Sequence, residues 1–340
     1  MKAIVYKKYG PPDVLHIIEV EKPIPKDNEV LIKVHSTEVT KADCEMRSFN
    51  FAVIWFWLPL RLMWGIFKPK KNILGGYFSG EIEAVGNNVT ELVVGDKIFG
   101  STQMRFGAYG EYLCLPDSYT IVKKPTNISY EEAAAVPLGA LNALHFMRKA
   151  NIKEGETVLI NGAGGSIGTF AIQIAKDMGA EVTAVDSPIK ETMLRQLGAD
   201  YFIDYTQKNV TKQGNTYDII FNMVASSHYS DFMKILNRNG RYLMGNAKLV
   251  DMIRSVVTSK LTDKKAIFSF AGEKIEELIT LRTMIEAGKI RPVVDKVYSI
   301  NQIIKAHQRV EAEKRIGIVV LSFDLEKSLT ISAQKTGQAS

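Results

Sequence analysis

Thr157-Val158-Leu159-Ile160-Asn161-Gly162-Ala163-Gly164-Gly165-Ser166-Ile167-Gly168 is the stretch on which the fold turns. Residues 157–160 are a short apolar run after a turn signal at Gly155. Beyond the glycines, Ile167, Phe170, Ala171, Ile174, Ala175 and Met178 recur at helical spacing. The pattern predicts a buried strand, a sharp turn, and a helix that runs to about Met178 and stops at Gly179. Such a turn leaves backbone N–H groups unpaired at the helix N-terminus, where they and the helix dipole attract a pyrophosphate. Gly165 lets the backbone approach the phosphates, and Gly168 lets helix and strand pack closely. The first glycine of the G-x-G-x-x-G pattern is Ala163 here, with Gly162 just before it, so the motif is a variant. A purely structural turn would use the same glycines. The context favours a dinucleotide cradle formed by Gly162, Ala163, Gly164, Gly165, Ser166, Ile167 and Gly168. A second strand over 181–185 ends at Asp186, 18 residues past Gly168, near where a ribose-binding carboxylate is expected.

The rest of the chain is consistent with a soluble globular protein of one or two domains. Its 340 residues can bury a sizeable core, and 46% hydrophobic with 24% charged residues is ordinary composition. The net charge of +6 is modest and spread along the chain, which argues for no nucleic-acid partner. Two cysteines, Cys44 and Cys114, lack CxxC partners, so a disulfide framework is not expected and a reducing cytoplasm is the simplest compartment. Residues 1–5 read as the start of a strand, without the apolar region of a signal peptide.

Residues 1–123 read as β-rich, with strand candidates at 3–6, 30–34, 80–86, 95–100 and 107–113. Within them, 51–67 is nearly all apolar, with Trp55, Phe56 and Trp57 at its centre. Pro59 and Arg61 interrupt it, so it is too short to span a membrane. It reads as a buried core or subunit contact, as a mobile aromatic flap over an apolar pocket, or, as a third option, as a peripheral membrane contact. A capping box from Ser129 to Glu132 opens the next part. Strand candidates then follow at 157–160, 181–185, 201–204, 218–221, 241–244 and 266–270, with helices at 167–178, 189–197 and 230–236 between them. That alternation predicts a doubly wound parallel sheet. Helices at 273–287 and 300–311 and a strand at 316–321 close the chain, and a polar, frayed tail is expected at 326–340.

At this point the chain resembles the medium-chain dehydrogenase/reductase superfamily to about Phe323, and within it the zinc-free quinone oxidoreductase-like branch. The residues that carry this are Gly76-Tyr77-Phe78-Ser79-Gly80 leading to Glu83-Ala84-Val85-Gly86, then Val94-Gly95-Asp96-Lys97-Ile98-Phe99-Gly100 and Ala133-Ala134-Ala135-Val136-Pro137. The glycine turn, Leu197-Gly198-Ala199-Asp200 and Ala287-Gly288-Lys289-Ile290-Arg291-Pro292 complete the set. The resemblance implies an α/β protein: a GroES-like β-rich catalytic domain from 1–123 and 272–325, a Rossmann dinucleotide-binding domain at 124–271, and a cofactor cleft between them. It also implies a homodimer formed through an edge strand of the nucleotide domain.

Zinc relatives carry Cys and a His-Glu pair at positions that match Thr40, Tyr77 and Phe78, so this resemblance implies no catalytic zinc. Two cysteines also cannot supply a four-cysteine structural site, and His16, His35, His145, His228 and His307 are scattered without ligand spacing. Cofactor choice is divided. Asp186 favours NAD(H), because a carboxylate bonds the ribose hydroxyls and repels a 2′-phosphate; on the NADP(H) side Ser187 adds a hydroxyl. Lys190 and Tyr205 match the adenine-phosphate lysine and cofactor tyrosine of related prostaglandin and alkenal reductases. The balance favours NADP(H), with NAD(H) also usable. By the same resemblance Asn142, Val224, Gly245 and Phe270 line the nicotinamide side.

Without zinc, the oxygen of an enolate or quinol needs a donor. Near the family's cleft the candidates are Tyr77, Thr40 and Lys41. The lysine that some enone reductases carry shortly after the position of Asp43 is Glu45 here. The expected activity is reduction of apolar quinones or α,β-unsaturated carbonyls. The alternatives are a zinc-free alcohol or aldehyde dehydrogenase and a low-turnover NADPH-binding sensor or membrane-associated binding protein.

Overall fold

The structure, a computed structural model, describes residues 1–51 and 57–325. The N-terminal part supplies β1 (Lys2–Tyr6), β2 (Leu15–Glu19), the long β3 (Glu29–Val39), α1 (Lys41–Ser48), α2 (Trp57–Trp64), β4 (Tyr77–Val85), β5 (Lys97–Ser101), β6 (Tyr112–Pro116) and β7 (Ile121–Lys123). Helices α3 (Tyr130–Ala134) and α4 (Pro137–Ala150) lead into an alternating region. It comprises β8 (Thr157–Asn161), α5 (Ser166–Asp177), β9 (Glu181–Asp186), α6 (Glu191–Gln196), β10 (Tyr201–Asp204), β11 (Tyr217–Asn222), α7 (Tyr229–Lys234), β12 (Leu236–Met244), α8 (Leu249–Leu261) and β13 (Lys265–Phe268). The chain then forms α9 (Ile275–Glu286), β14 (Val294–Ser299), α10 (Ile303–Glu311) and β15 (Ile318–Ser322).

Val158, Leu159 and Ile160 are buried on both faces of their strand, as a central parallel strand requires. Around β8 the sheet runs β10-β9-β8-β11-β12-β13, with every neighbouring pair parallel. From β8 the chain winds one way to β10 and then the other way to β13, so the strand order reverses between β8 and β11. Ligands of open α/β sheets bind outside the strand carboxyl ends at such a reversal. There Asn161 at the end of β8 donates through Nδ2 to Oδ1 of Asn222 at the end of β11, at 2.8 Å. The second large sheet has the order β14-β15-β3-β4-β5-β7, with β6 also paired to β3. Strands from both chain ends share it, because β15 pairs antiparallel with β3.

The structure departs from the sequence reading in several places. The strand expected at 107–113 begins only at Tyr112, because Gly107 has φ +111° and turns the chain first. The helix expected at 189–197 opens with a 3-10 turn at Pro188–Lys190, since Pro188 fixes the entry. The helix expected at 230–236 stops at Lys234, and β12 already begins at Leu236. The expectation that 51–67 is buried core fails for its described part: in α2 and the turn after it only Trp64 and Gly65 are buried, and Phe67 is 91% exposed. Trp55, Phe56 and the expected tail at 326–340 lie outside the described residues. Helix α8 lies outside the expected alternation although Leu249, Met252, Ile253, Val256 and Val257 recur at helical spacing; most of these face outward, and Ser255 is its buried side chain. No helix among the described residues is long and apolar enough to cross a membrane.

Candidate active site

The glycine turn forms where β8 hands over to α5. Gly162 has φ +87°, and its N–H and that of Ala163 both donate to the Val185 carbonyl, at 3.1 and 3.2 Å. The bend therefore falls at Gly162. Ala163, where the common pattern has its first glycine, is fully buried in the core. Gly165 caps α5 without any side-chain cap bond, so the first-turn amides of the helix keep their capacity for an anion. A Cβ on Gly165 would meet nothing closer than the Gly162 carbonyl at 3.8 Å, so the space over the turn is open.

That turn forms one wall of a cleft of about 1040 Å³. Of the candidate residues, Gly162, Gly165, Ser166, Ile167, Asp186, Ser187, Lys190, Tyr205, Val224, Gly245, Phe270 and Lys41 line it. Ala163, Gly164 and Gly168 are not on its surface; they shape the backbone behind it. Lys41, Ala42 and Glu45 of α1 face residues of the parallel sheet across the opening, so both large sheets contribute to the walls.

The two cofactor-discriminating candidates prove to be one unit. Lys190 Nζ lies 2.9 Å from Asp186 Oδ1, with both side chains nearly buried. The same carboxylate accepts from the Gly164 N–H at 2.7 Å and the Ser187 N–H at 2.8 Å. Asp186 is thus turned back onto the glycine turn, and the ammonium of Lys190 neutralises it. A Cβ on Gly164 would fall 2.2 Å from Lys190 Cδ, which shows how closely the lysine lies over the turn.

The proton-donor candidates separate. Thr40 is the N-cap of α1; its hydroxyl donates to Asp43 Oδ2 at 2.6 Å and accepts from the Asp43 N–H at 2.9 Å. Tyr77 donates to Glu273 Oε1 at 2.9 Å, and burial together with that carboxylate holds its hydroxyl well above its ordinary range. Lys41 reaches Glu313 Oε1 at 2.5 Å in an exposed pair. Thr40 and Tyr77 do not line the cleft; Lys41 does. Asn142 donates to Leu138 O within α4 and does not line the cleft, although Leu138 does.

Sequence reading missed Glu38. It stands at the end of β3, 2% exposed, and lines the cleft. Its Oε1 accepts from Ser166 Oγ at 3.2 Å, while Oε2 has no hydrogen-bond partner among the described residues. The sequence offered little signal, because Glu38 follows His35, Ser36 and Thr37 in a mixed stretch before the Thr40–Asp43 capping box. Burial pushes this carboxyl up to about 8, against the opposing pull of Arg315 and the Ser166 hydrogen bond. Near neutral pH it is therefore mostly protonated, and no negative charge opposes a phosphate at the turn. Because the folded chain holds this proton more tightly than the unfolded one, the associated stability is full below the ordinary carboxylate range and is lost as pH rises through about 8. Glu38→Gln is expected to remove this dependence. Between pH 6 and pH 9 the parent should lose on the order of 2 kcal/mol relative to the variant in denaturant unfolding. Parallel pH profiles would remove the assignment.

The residues present fit a dinucleotide: an open glycine turn at a helix N-terminus, with a buried cation at the end of the adjoining strand. They do not fit zinc at the family's position. Thr40 and Tyr77 have their hydroxyls committed, and Phe78 is core. Cys44 Sγ meets His307 Nδ1 at 3.3 Å deep in the core, where burial holds the imidazole down to about 3. Among the described residues no three His, Cys, Asp or Glu side chains cluster to hold a metal.

Comparison with known proteins agrees with this architecture. The family described as Alcohol dehydrogenase GroES-like domain matches residues 26–126, and that described as Zinc-binding dehydrogenase matches residues 197–321. A quinone oxidoreductase of Sus scrofa is 30% identical over 326 residues, covering 91% of this chain and 94% of its own. A chloroplastic NADPH-dependent alkenal/one oxidoreductase of Arabidopsis thaliana is 28% identical over 335 residues, covering 94% of this chain and 79% of its own. The solved structure of the quinone oxidoreductase from Coxiella burnetii superposes with a TM-score of 0.82 at 26% identity, covering 95% of this chain and 99% of that one.

Proposed function

The chain belongs to the medium-chain dehydrogenase/reductase superfamily, in its quinone oxidoreductase-like branch, and from that premise we propose that it is a zinc-independent NAD(P)H-dependent reductase of quinones or α,β-unsaturated carbonyls. The observation that carries this reading is the cleft between the two sheets, floored by an open phosphate turn and bearing the buried Lys190. The names of the relatives, a quinone reductase and an NADPH-dependent alkenal/one reductase, support the substrate class. The GroES-like domain comprises 1–123 and 272–325, and the nucleotide domain 124–271.

NADP(H), when bound, supplies hydride. The chain's own residues do the rest. Amides of Gly165, Ser166 and Ile167 at the start of α5 hold the pyrophosphate. Lys190 takes the 2′-phosphate, with Ser187 and Tyr205 flanking the adenosine. Val224, Gly245 and Phe270 shape the nicotinamide end. Lys41, a cleft-lining ammonium, stabilises the oxygen on which negative charge develops and returns a proton to it from solvent. Tyr77 and Thr40, whose hydroxyls are engaged elsewhere, hold the cleft wall. NAD(H) binds through the same turn without using Lys190. The chain forms a homodimer through β13, an edge strand of the parallel sheet, next to the outward apolar residues of α8.

The test is steady-state oxidation of NADPH with a panel of quinones and enones, and the reverse assay with alcohols and NADP+, each before and after exhaustive chelation. Acceptor-dependent oxidation that survives chelation is expected. Activity confined to alcohols, or lost with the chelator, would overturn the reading. Tight NADPH binding without turnover on any acceptor would do so too, and would leave the sensor alternative standing.

A further inference from the structure

We propose that the surface built by α2 and the segment after it, Trp57 to Lys71, docks on an anionic lipid surface. The sequence sets this stretch apart: between Glu45 and Glu81 there is no acidic residue, while Arg47, Arg61, Lys68, Lys70 and Lys71 are all basic. The structure turns its apolar side chains outward. Leu58, Leu62, Met63, Ile66 and Phe67 are exposed, Leu58 by 61% and Phe67 by 91%. Leu58 and Leu62 are one helical turn apart and share a face, with the exposed Met63 beside it. Scattered single exposed hydrophobics need no explanation, but a contiguous set marks an interaction site.

The base of this surface is fixed. The Arg61 guanidinium lies over the rings of Tyr9 and Phe49, 4.3 and 4.4 Å from their centroids. Tyr9 donates to the Gly65 carbonyl at 2.9 Å, and Trp64 turns inward against Phe106. The collar is cationic: Lys68, Lys70 and Lys71 are exposed beside the apolar face. Lys70 Nζ reaches back to the Leu62 carbonyl at 3.1 Å, which puts its charge at the edge of that face. Apolar side chains rimmed by lysines are the pattern of a segment lying in the plane of a charged membrane interface.

Charge decides the occupant. In a symmetric self-contact the same patch would face its own image. This segment contains no carboxylate to meet its lysines, so two copies would oppose like charges over an apolar contact. An anionic bilayer satisfies both halves at once. The surface also connects to the cleft. Lys41, Ala42 and Glu45 of α1 line the cleft, and Phe49, the C-cap of the same helix, packs edge-on to Trp57. Eight helical residues span about 12 Å. A docked molecule would carry its cleft one short helix away from the docking face, close to apolar acceptors dissolved in the lipid. This last step rests on the reductase reading; the docking does not.

The test is flotation with vesicles of phosphatidylcholine alone and of phosphatidylcholine containing phosphatidylserine. Binding to the mixed vesicles that falls with added salt is expected, with little binding to the neutral ones. Leu62→Asp with Phe67→Asp, both at exposed positions, should abolish it. Lys68→Gln and Lys71→Gln should each weaken it roughly five-fold. NADPH affinity and turnover of a water-soluble quinone, measured without vesicles on the same samples, should not change. Failure to float with either vesicle overturns the proposal. So does self-association in sedimentation that Phe67→Asp abolishes, because a second copy would then be the occupant. A protein that floats but never oxidises NADPH keeps the docking and loses the reductase reading.

Discussion

Gly168→Val is expected to cost the protein its dinucleotide binding and several kcal/mol of stability. A Cβ at this position would sit 2.4 Å from the Ala163 carbonyl oxygen, 2.6 Å from its carbon and 2.7 Å from its Cα. All three are backbone atoms, so no side chain can swing aside. The strain moves α5 off β8, in a core where residues around it such as Phe170, Ala171 and Ile160 are fully buried. Overpacking costs about 1–3 kcal/mol even where side chains yield, and the backbone contact here puts the cost at or above that range. The same displacement moves the N-terminal amides of α5 away from the pyrophosphate. Gly165→Ala separates the two effects: its Cβ meets no atom closer than 3.8 Å, and Gly165 has φ −89°, so the fold should be unharmed while the phosphate approach narrows. Denaturant midpoints and NADPH titration should show both losses for Gly168→Val and only the affinity loss for Gly165→Ala. Unchanged binding in both variants would mean that the turn is structural only.

Lys190→Ala is expected to weaken NADPH about 10- to 100-fold while NADH changes only a few-fold, the worth of one or two charge-assisted hydrogen bonds to a phosphate. In the parent, Lys190 and Asp186 form a nearly buried neutral pair at 2.9 Å. Without the ammonium, Asp186 keeps its bonds from the Gly164 and Ser187 amides, so the turn stays in place. The adenosine end of the cleft then carries an uncompensated carboxylate. A 2′-phosphate meets that charge directly, whereas the ribose hydroxyls of NADH can still donate to it. Titration of both cofactors against parent and variant reads the ratio. Equal losses would remove Lys190 as the phosphate ligand and leave it as the partner of Asp186.

The difference between what the sequence revealed and what needed the structure follows from the range of the forces involved. The β8–turn–α5 unit was legible because apolar periodicity and glycine are local signals; the strand is observed at Thr157–Asn161 and the helix at Ser166–Asp177. The Ser129–Glu132 capping box was legible for the same reason and is present. The apparent conflict between Asp186 and Lys190 was not resolvable by pattern, because their pairing depends on side-chain direction at the end of a strand. Glu38 stayed hidden because its partner, Ser166, is distant in sequence and reaches it only when the two sheets meet across the cleft. Strand β7 has three residues, too few to establish a period, and Asp295 and Lys296 break the apolar pattern of β14. The apolar stretch at 51–67 left core, subunit-contact, flap and membrane readings open, because hydrophobicity alone does not distinguish a core segment from an outward-facing one; the exposed Leu58, Leu62 and Phe67 are of the second kind.

The account rests on a cleft that binds a nicotinamide dinucleotide and passes its hydride to an apolar acceptor. The most direct test is a reaction with NADPH deuterated at the transferable C4 position and an α,β-unsaturated ketone, with the product analysed by mass spectrometry and NMR. The account predicts a saturated ketone carrying one deuterium at the β-carbon. NADPH bound in the cleft but not oxidised by any enone or quinone, or deuterium found at the carbinol carbon of an allylic alcohol, would contradict it.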